Sequence, residues 1–289
     1  MKKYLLLCLS FLAVLPMTAQ DSVYARRIIC DLSSAAMYGR GYVHRGDSIA
    51  ADYLRAELRA LGYDPLGEDY YQYFELETSR TQRVPLATKG YLTQNVIGVL
   101  PGETDSMLVL TAHYDHLGTH GDTIYYGAHD NASGCAAVLD MARTLARDGS
   151  KYTIVVMFFS GEELGLEGSH YAIQNPLIDY RKVRLLCNID MFCGGDDGLM
   201  IFNAHDRLTK PFIDRVVRLN EAMDIATLDL RENRPNSDHY WFSSQCPAIF
   251  CLSKGGPIGG YHSPFDTCPS CGLGYYENYL TLLLALLIP

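Results

Sequence analysis

The sequence predicts an α/β protein, a single domain built on a mostly parallel β-sheet with helices on both faces. Three observations lead there. Of 289 residues, 48% are apolar and 20% charged, a globular composition in a chain long enough for one large domain. Five near-continuous apolar runs, over residues 96–100, 107–112, 154–159, 185–189 and 247–252, read as strands buried on both faces. Between them lie segments of helical period, the alternation that gives parallel strands crossing over through helices. No internal repeat or linker divides the chain.

Taken in order, the chain opens with Lys2 and Lys3, an apolar run over 5–15, and then Pro16, Met17, Thr18 and Ala19. That is the layout of an export signal cleaved after Ala19, leaving residues 20–289 as the mature domain. The run is too short for a membrane span, which takes about 20 residues. Cys8 lacks the small residues that precede a lipid-modified cysteine, so a periplasmic or secreted protein is expected. A helix is expected over 48–61, with Ala50, Leu54, Leu58 and Leu61 on one face and Gly62 ending it. Arg45-Gly46-Asp47 at its start reads as a turn and cap rather than an adhesion motif. Residues 64–92 are polar and rich in Tyr and Thr, which suggests edge strands, with one over 70–77. Further helices are marked by Val138, Met141, Ala142 and Leu145, by Phe212, Ile213, Val216 and Val217 behind Pro211, and by the closing segment 275–287.

The formal net charge of -9, without a Lys/Arg stripe, excludes a phosphate-backbone footprint, so no nucleic-acid partner is expected. Export permits disulfides among the eight mature cysteines. Cys268-Pro-Ser-Cys271 has redox spacing but no strand-then-helix setting, so a local bridge or two free thiols is expected there. Cys135 and Cys187 lie in apolar stretches and read as buried small hydrophobes.

Three strands end in ligand-type residues: Thr111-Ala112-His113-Tyr114-Asp115-His116, Ser160-Gly161-Glu162-Glu163-Leu164-Gly165 and Asn188-Ile189-Asp190-Met191. Sites in open α/β sheets form beyond the carboxyl ends of the strands, so His113, Glu162, Glu163 and Asp190 are aimed into one crevice. Taken singly, a strand-end His is usually a satisfied core or surface residue and a Glu pair a solvated turn. Burying several carboxylates together, however, needs compensating cations, which makes a metal site the economical reading. His113 and Asp115, two apart on a strand, would share a face and let Asp115 accept a hydrogen bond from the imidazole. Asp130, in Gly127-Ala128-His129-Asp130-Asn131-Ala132-Ser133-Gly134, opens a helix; it is placed either to bridge two cations or simply to cap that helix.

With these residues in view, the sequence resembles the secreted bacterial di-zinc aminopeptidases, of the superfamily that also contains glutaminyl cyclase. The resemblance runs from about Gly39 to the C-terminus. It is carried by the blocks at 112–115, 127–134, 161–169 and 188–191 and by Tyr261-His262-Ser263-Pro264-Phe265-Asp266-Thr267. It implies a mixed, mostly parallel sheet of the phosphorylase/hydrolase-like zinc exopeptidase type. It further implies two zinc ions, one on His113 and Asp190 and the other on Glu163 and His262, with Asp130 bridging. Glu162 matches the general base and Asp115 the orienter of His113. No organic cofactor is expected, and the partners implied are peptides with a free N-terminus. His129 departs from the pattern, adjoining the metals without being a ligand. His44, His116, His120, His170, His205 and His239 match no ligand role and read as structural or surface residues. Ser237-Asp238-His239 resembles a segment near the substrate pocket and receives no catalytic part.

The implied reaction is hydrolysis. Two cations about 3.5 to 4 Å apart share and acidify a water and polarise the carbonyl, and Glu162 shuttles the proton. The mixed N/O donors suit zinc. Two alternatives stand beside this. Glutaminyl cyclase uses much of the same constellation, but the indole that commonly precedes its last histidine ligand is Tyr261 here, and Trp241 is the only Trp. A non-catalytic binding module of the same fold would be expected to have lost ligands or base, and this chain has them all.

Overall fold

The computed structural model describes residues 21–77, 89–256 and 260–287; the expected export segment lies outside them. The elements in chain order are α1 (Ser22–Leu32), α2 (Gly46–Ala60), β1 (Asp64–Pro65), β2 (Tyr71–Glu75), β3 (Leu92–Leu100), β4 (Thr104–His113), β5 (Thr119–His120) and β6 (Thr123–Ile124). There follow α3 (Ser133–Asp148), β7 (Tyr152–Phe159), α4 (Glu167–Gln174), β8 (Val183–Ile189), β9 (Leu199–Phe202), α5 (Lys210–Met223), β10 (Leu228–Leu230), α6 (His239–Phe242), β11 (Ala248–Ser253) and α7 (Tyr276–Leu287).

Nine strands form one sheet in the order β1-β3-β7-β4-β8-β11-β9-β10, with β2 also on β3. The centre, β7-β4-β8-β11, is parallel. β3 joins β7, and β9 joins β11, in antiparallel fashion. The sheet is therefore mixed, with a parallel heart. Along β4 the side chains divide between two cores: Leu108, Leu110 and Ala112 pack with α1, α2, α3, α5 and α7 on one face, and Met107 and Val109 with α4 and α6 on the other. Both faces being covered explains why the strand runs are continuous rather than alternating.

Ala50, Leu54 and Leu58 of α2 are fully buried, and the helix stops at Ala60, two residues before Gly62, whose φ of +83° favours glycine. Asp47 of the Arg-Gly-Asp tripeptide is fully buried, accepting hydrogen bonds from Tyr91 and Thr93, so it belongs to the packing and is closed to an adhesion receptor. Helix α1 was not anticipated, although Ala25, Ile28, Ile29 and Leu32 lie at helical spacing behind Asp21, whose carboxylate caps the helix.

The Cys268-Pro-Ser-Cys271 expectation is corrected. The two cysteines bond neither to each other nor remain free: Cys268 is bridged to Cys30 on α1 and Cys271 to Cys193 beyond β8. The short turn at Cys268–Ser270 aims its two ends at different neighbours. Cys135 and Cys187 are buried and free, as expected.

Candidate metal centre

Because β7, β4 and β8 are adjacent and parallel, their carboxyl ends lie side by side. β4 ends on His113, β7 leads into the turn bearing Glu162 and Glu163, and Asp190 follows β8 directly. Next along the sheet, β11 leads into the segment from which His262 returns. Asp130 comes from the loop between β6 and α3, which begins at Gly127 with φ +60°. A Cβ at Gly127 would run into the Asp130 carbonyl, the Arg40 guanidinium and the His116 ring, so only glycine serves there.

Asp130 sits at the centre, and its carboxylate is occupied with histidines rather than capping α3. Its Oδ1 lies 3.3 Å from His113 Nε2, and its Oδ2 lies 2.9 Å from His262 Nε2. His113 Nε2 is also 3.2 Å from Asp190 Oδ1, and His262 Nε2 is 3.2 Å from Glu163 Oε1. Ligand-type atoms thus fall into two groups on opposite sides of Asp130. His113, Glu162 and Asp190 form one; His116, Asp130, Glu163 and His262 form the other, and within each group the atoms lie within 4.8 Å. Six of the seven residues singled out from the sequence fall in these two groups, joined by His116; the seventh, Asp115, stands beside them.

The role expected of Asp115 is met differently. Its main-chain carbonyl, 3.2 Å from His113 Nδ1, is the nearer acceptor, and its carboxylate stands 3.7 Å away. The carboxylate instead accepts from the Tyr42 hydroxyl (2.9 Å) and from the N–H groups of Glu162 (3.1 Å) and Glu163 (3.3 Å), which fixes the double-glutamate turn beside the imidazole.

Other supports received no role from the sequence. Asp266 accepts from the N–H groups of His129 and Asp130, tying the Asp130 loop to the His262 segment. Ser237 donates to Asp190 Oδ2 at 2.9 Å, which gives its triplet a positioning part. Arg40, fully buried, donates to the carbonyls of Tyr114, Leu32, Tyr126, Gly127 and Asp130. A lone buried arginine that bonds only to main chain has no local pattern by which to be found. His129 turns away from both groups, toward Cys193 Sγ.

The electrostatics are those of crowded carboxylates. Burial opposes protonation of His113, yet the charges of Asp190 and Glu162 raise its pKa well above the ordinary histidine value. His262 is likewise raised to about 9, its hydrogen bonds to Asp130 and Glu163 outweighing burial. Burial lifts Asp130, but its histidine partners hold it well below the usual range. Glu162 is pushed well above it by burial, with His113 opposing and Asp190 and Glu163 adding. Carboxylates and imidazoles buried this closely together are what divalent cations would satisfy, and the donor types fit zinc. The centre opens into a cleft of ≈ 600 Å³, whose walls include Leu164, Leu166, Met191, Pro235 and Tyr261.

Residues 95–287 match the model of peptidase family M28. The leupeptin-inactivating enzyme 1 of Streptomyces exfoliatus is 27% identical over 231 residues, covering 78% of this chain and 45% of that protein. The chain spans less than half the length of the first curated relatives it matches. Among solved structures, a leucine aminopeptidase precursor from Bacteroides thetaiotaomicron superposes with a TM-score of 0.75 at 18% identity, over 94% of this chain and 98% of that one. A glutaminyl cyclase from the same bacterium gives 0.74 at 18% identity, over 93% and 98%.

Proposed function

This chain belongs to peptidase family M28, and from that premise we propose that it is an exported zinc aminopeptidase, releasing N-terminal residues from unblocked peptides. The observation that carries the reading is the two-sided engagement of Asp130, whose carboxylate oxygens face His113 and His262 respectively. That division fits a bridging carboxylate between two ions, one held by His113 and Asp190, the other by Glu163 and His262. Zinc bound there supplies Lewis-acid polarisation of the scissile carbonyl and acidifies the attacking water.

The protein's own groups do the rest. Glu162 lines the cleft beside His113 and Asp190 and takes the proton of the attacking water, then delivers it to the leaving amine. Asp115 holds the Glu162 and Glu163 N–H groups, and its carbonyl fixes the His113 ring. The charged α-amine of the substrate is recognised within the acidic cluster, which limits cleavage to the first residue. Leu164, Leu166 and Met191 on the cleft wall favour an apolar first side chain, in keeping with the leucine aminopeptidase among the structural neighbours. The peptidase domain comprises residues 20–289, and 1–19 is the export signal; the bridges Cys30–Cys268 and Cys193–Cys271 accord with an oxidising compartment.

Mass spectrometry of products tests the reaction. Unblocked peptides are shortened by one residue, N-acetylated ones are untouched, and Gln-initiated peptides yield no pyroglutamate. Loss of 17 Da from a Gln peptide, with no shortening of any other, would establish a cyclase instead.

A further inference from the structure

His116 stands outside every ligand role the sequence suggested, yet the fold delivers it to the metal centre. It is fully buried, and its Nδ1 points at the Glu163 side of Asp130. There it lies 3.0 Å from Glu163 Oε1 and 3.8 Å from Asp130 Oδ2. On that same side His262 Nε2 is 2.9 Å from Asp130 Oδ2 and 3.2 Å from Glu163 Oε1, and the two imidazoles meet edge to face with centroids 5.8 Å apart. Four donor atoms, one per residue, are thereby gathered. A tetrahedral zinc with bonds of about 2.0 to 2.1 Å has donors about 3.3 Å apart, and the separations of 2.9, 3.0, 3.2 and 3.8 Å bracket that spacing. The other ring nitrogen, Nε2, has no hydrogen-bond partner, so Nδ1 is the working face of the ring.

We propose that His116 is a third imidazole ligand of the centre, binding through Nδ1 to the ion shared by Asp130, Glu163 and His262. This rests on the two-metal reading above and refines it by making the two sites unequal. The His116 side has four protein donors, the complement of a closed structural site, whereas the side with His113, Asp190 and Asp130 has three and keeps a place open beside Glu162. The closed site fills first, and the chemistry belongs to the open one.

The test uses the whole mature protein freed of metal and given one equivalent of zinc. X-ray absorption at the zinc edge counts the imidazoles around that ion: two are expected, from His116 and His262, and one would overturn the assignment while leaving the two-metal reading intact. Failure to bind zinc at all would overturn both. Competition titration then separates ligand from hydrogen-bond donor. His116→Ala should weaken the tighter of the two zinc affinities by at least about 100-fold, beyond the effect of losing an outer partner, with the weaker affinity unchanged. His116→Asn, which restores an N–H donor to Glu163 but no imidazole, should not recover it. Recovery to wild-type affinity by Asn would mean that His116 only orients Glu163.

Discussion

Glu162 and Glu163 are consecutive in the chain, yet their carboxylates enter different halves of the centre, because the turn after β7 is pinned through both N–H groups to Asp115. Their substitutions should therefore separate. Glu162→Gln is expected to keep its zinc, measured by elemental analysis, while kcat falls by about 10² to 10⁴; Glu163→Gln should lose metal. Reversed metal contents would exchange the two roles. His113, Glu162, Glu163 and Asp190 were legible because they follow the ends of strands, where periodicity stops and polar residues gather, whereas Asp130 and His262 lie in loops and took their roles from the resemblance. His116 was not legible, since a histidine three residues past His113 has no local feature that sets it apart from a surface one. Its approach to Glu163 and to the Gly127 backbone exists only in the folded chain.

At the scale of elements, the parallel centre was readable and its trimmings were not. Strands of five or more apolar residues declare themselves, whereas β9 and β10, of four and three residues, are too short for a period and take their place by pairing with β11 and each other. Helix α4 is held against the end of β7 by Gly168, where a Cβ would meet the Ser160 carbonyl and the Asn95 side chain. Gly168→Ala should push α4 away from the double-glutamate turn, destabilising the protein by about 1 to 3 kcal/mol in urea melts and lowering kcat with it. An unchanged melt would show that the helix can give way there. The cysteine pairing was opaque for the same reason as His116, because spacing brings Cys268 and Cys271 close in sequence while the turn between them faces α1 and the segment after β8. The Cys30–Cys268 bridge closes a loop of 238 residues, so removing both cysteines should cost about 2 to 5 kcal/mol, measured by denaturant unfolding under oxidising conditions.

For the molecule as a whole, stability should depend on acid and on metal. His239 is fully buried against Phe250, and burial depresses its pKa from 6.5 to about 3. Below pH 6.5 the unfolded chain takes up a proton that the folded one refuses. This contribution is thus complete above 6.5 and is lost as pH falls toward 3, at about 1.4 kcal/mol per pH unit. The pH slope of unfolding free energy between 6.5 and 4.5 should be shallower by about that amount in His239→Phe; equal slopes would refute the burial effect. Metal acts in the opposite sense. Because the candidate ligands come from five separate segments, zinc should bind only the folded chain and raise Tm, by about 2.7 kcal/mol of stabilisation at a hundredfold excess over Kd, and chelation should abolish both that gain and activity.

Arg40 gives the molecule a hidden dependence. The stretch matching the family begins at residue 95, but the loop that presents Asp130 hangs by its carbonyls from a guanidinium supplied by the segment between α1 and α2. The same side chain holds the carbonyl next to His113 and the end of α1. The front third of the chain is therefore the keystone of a centre whose visible parts all lie elsewhere. A chimera that joined the catalytic blocks of this protein to the amino-terminal segment of a relative would retain every ligand and still fail, unless the graft brought a cation to the same five oxygens.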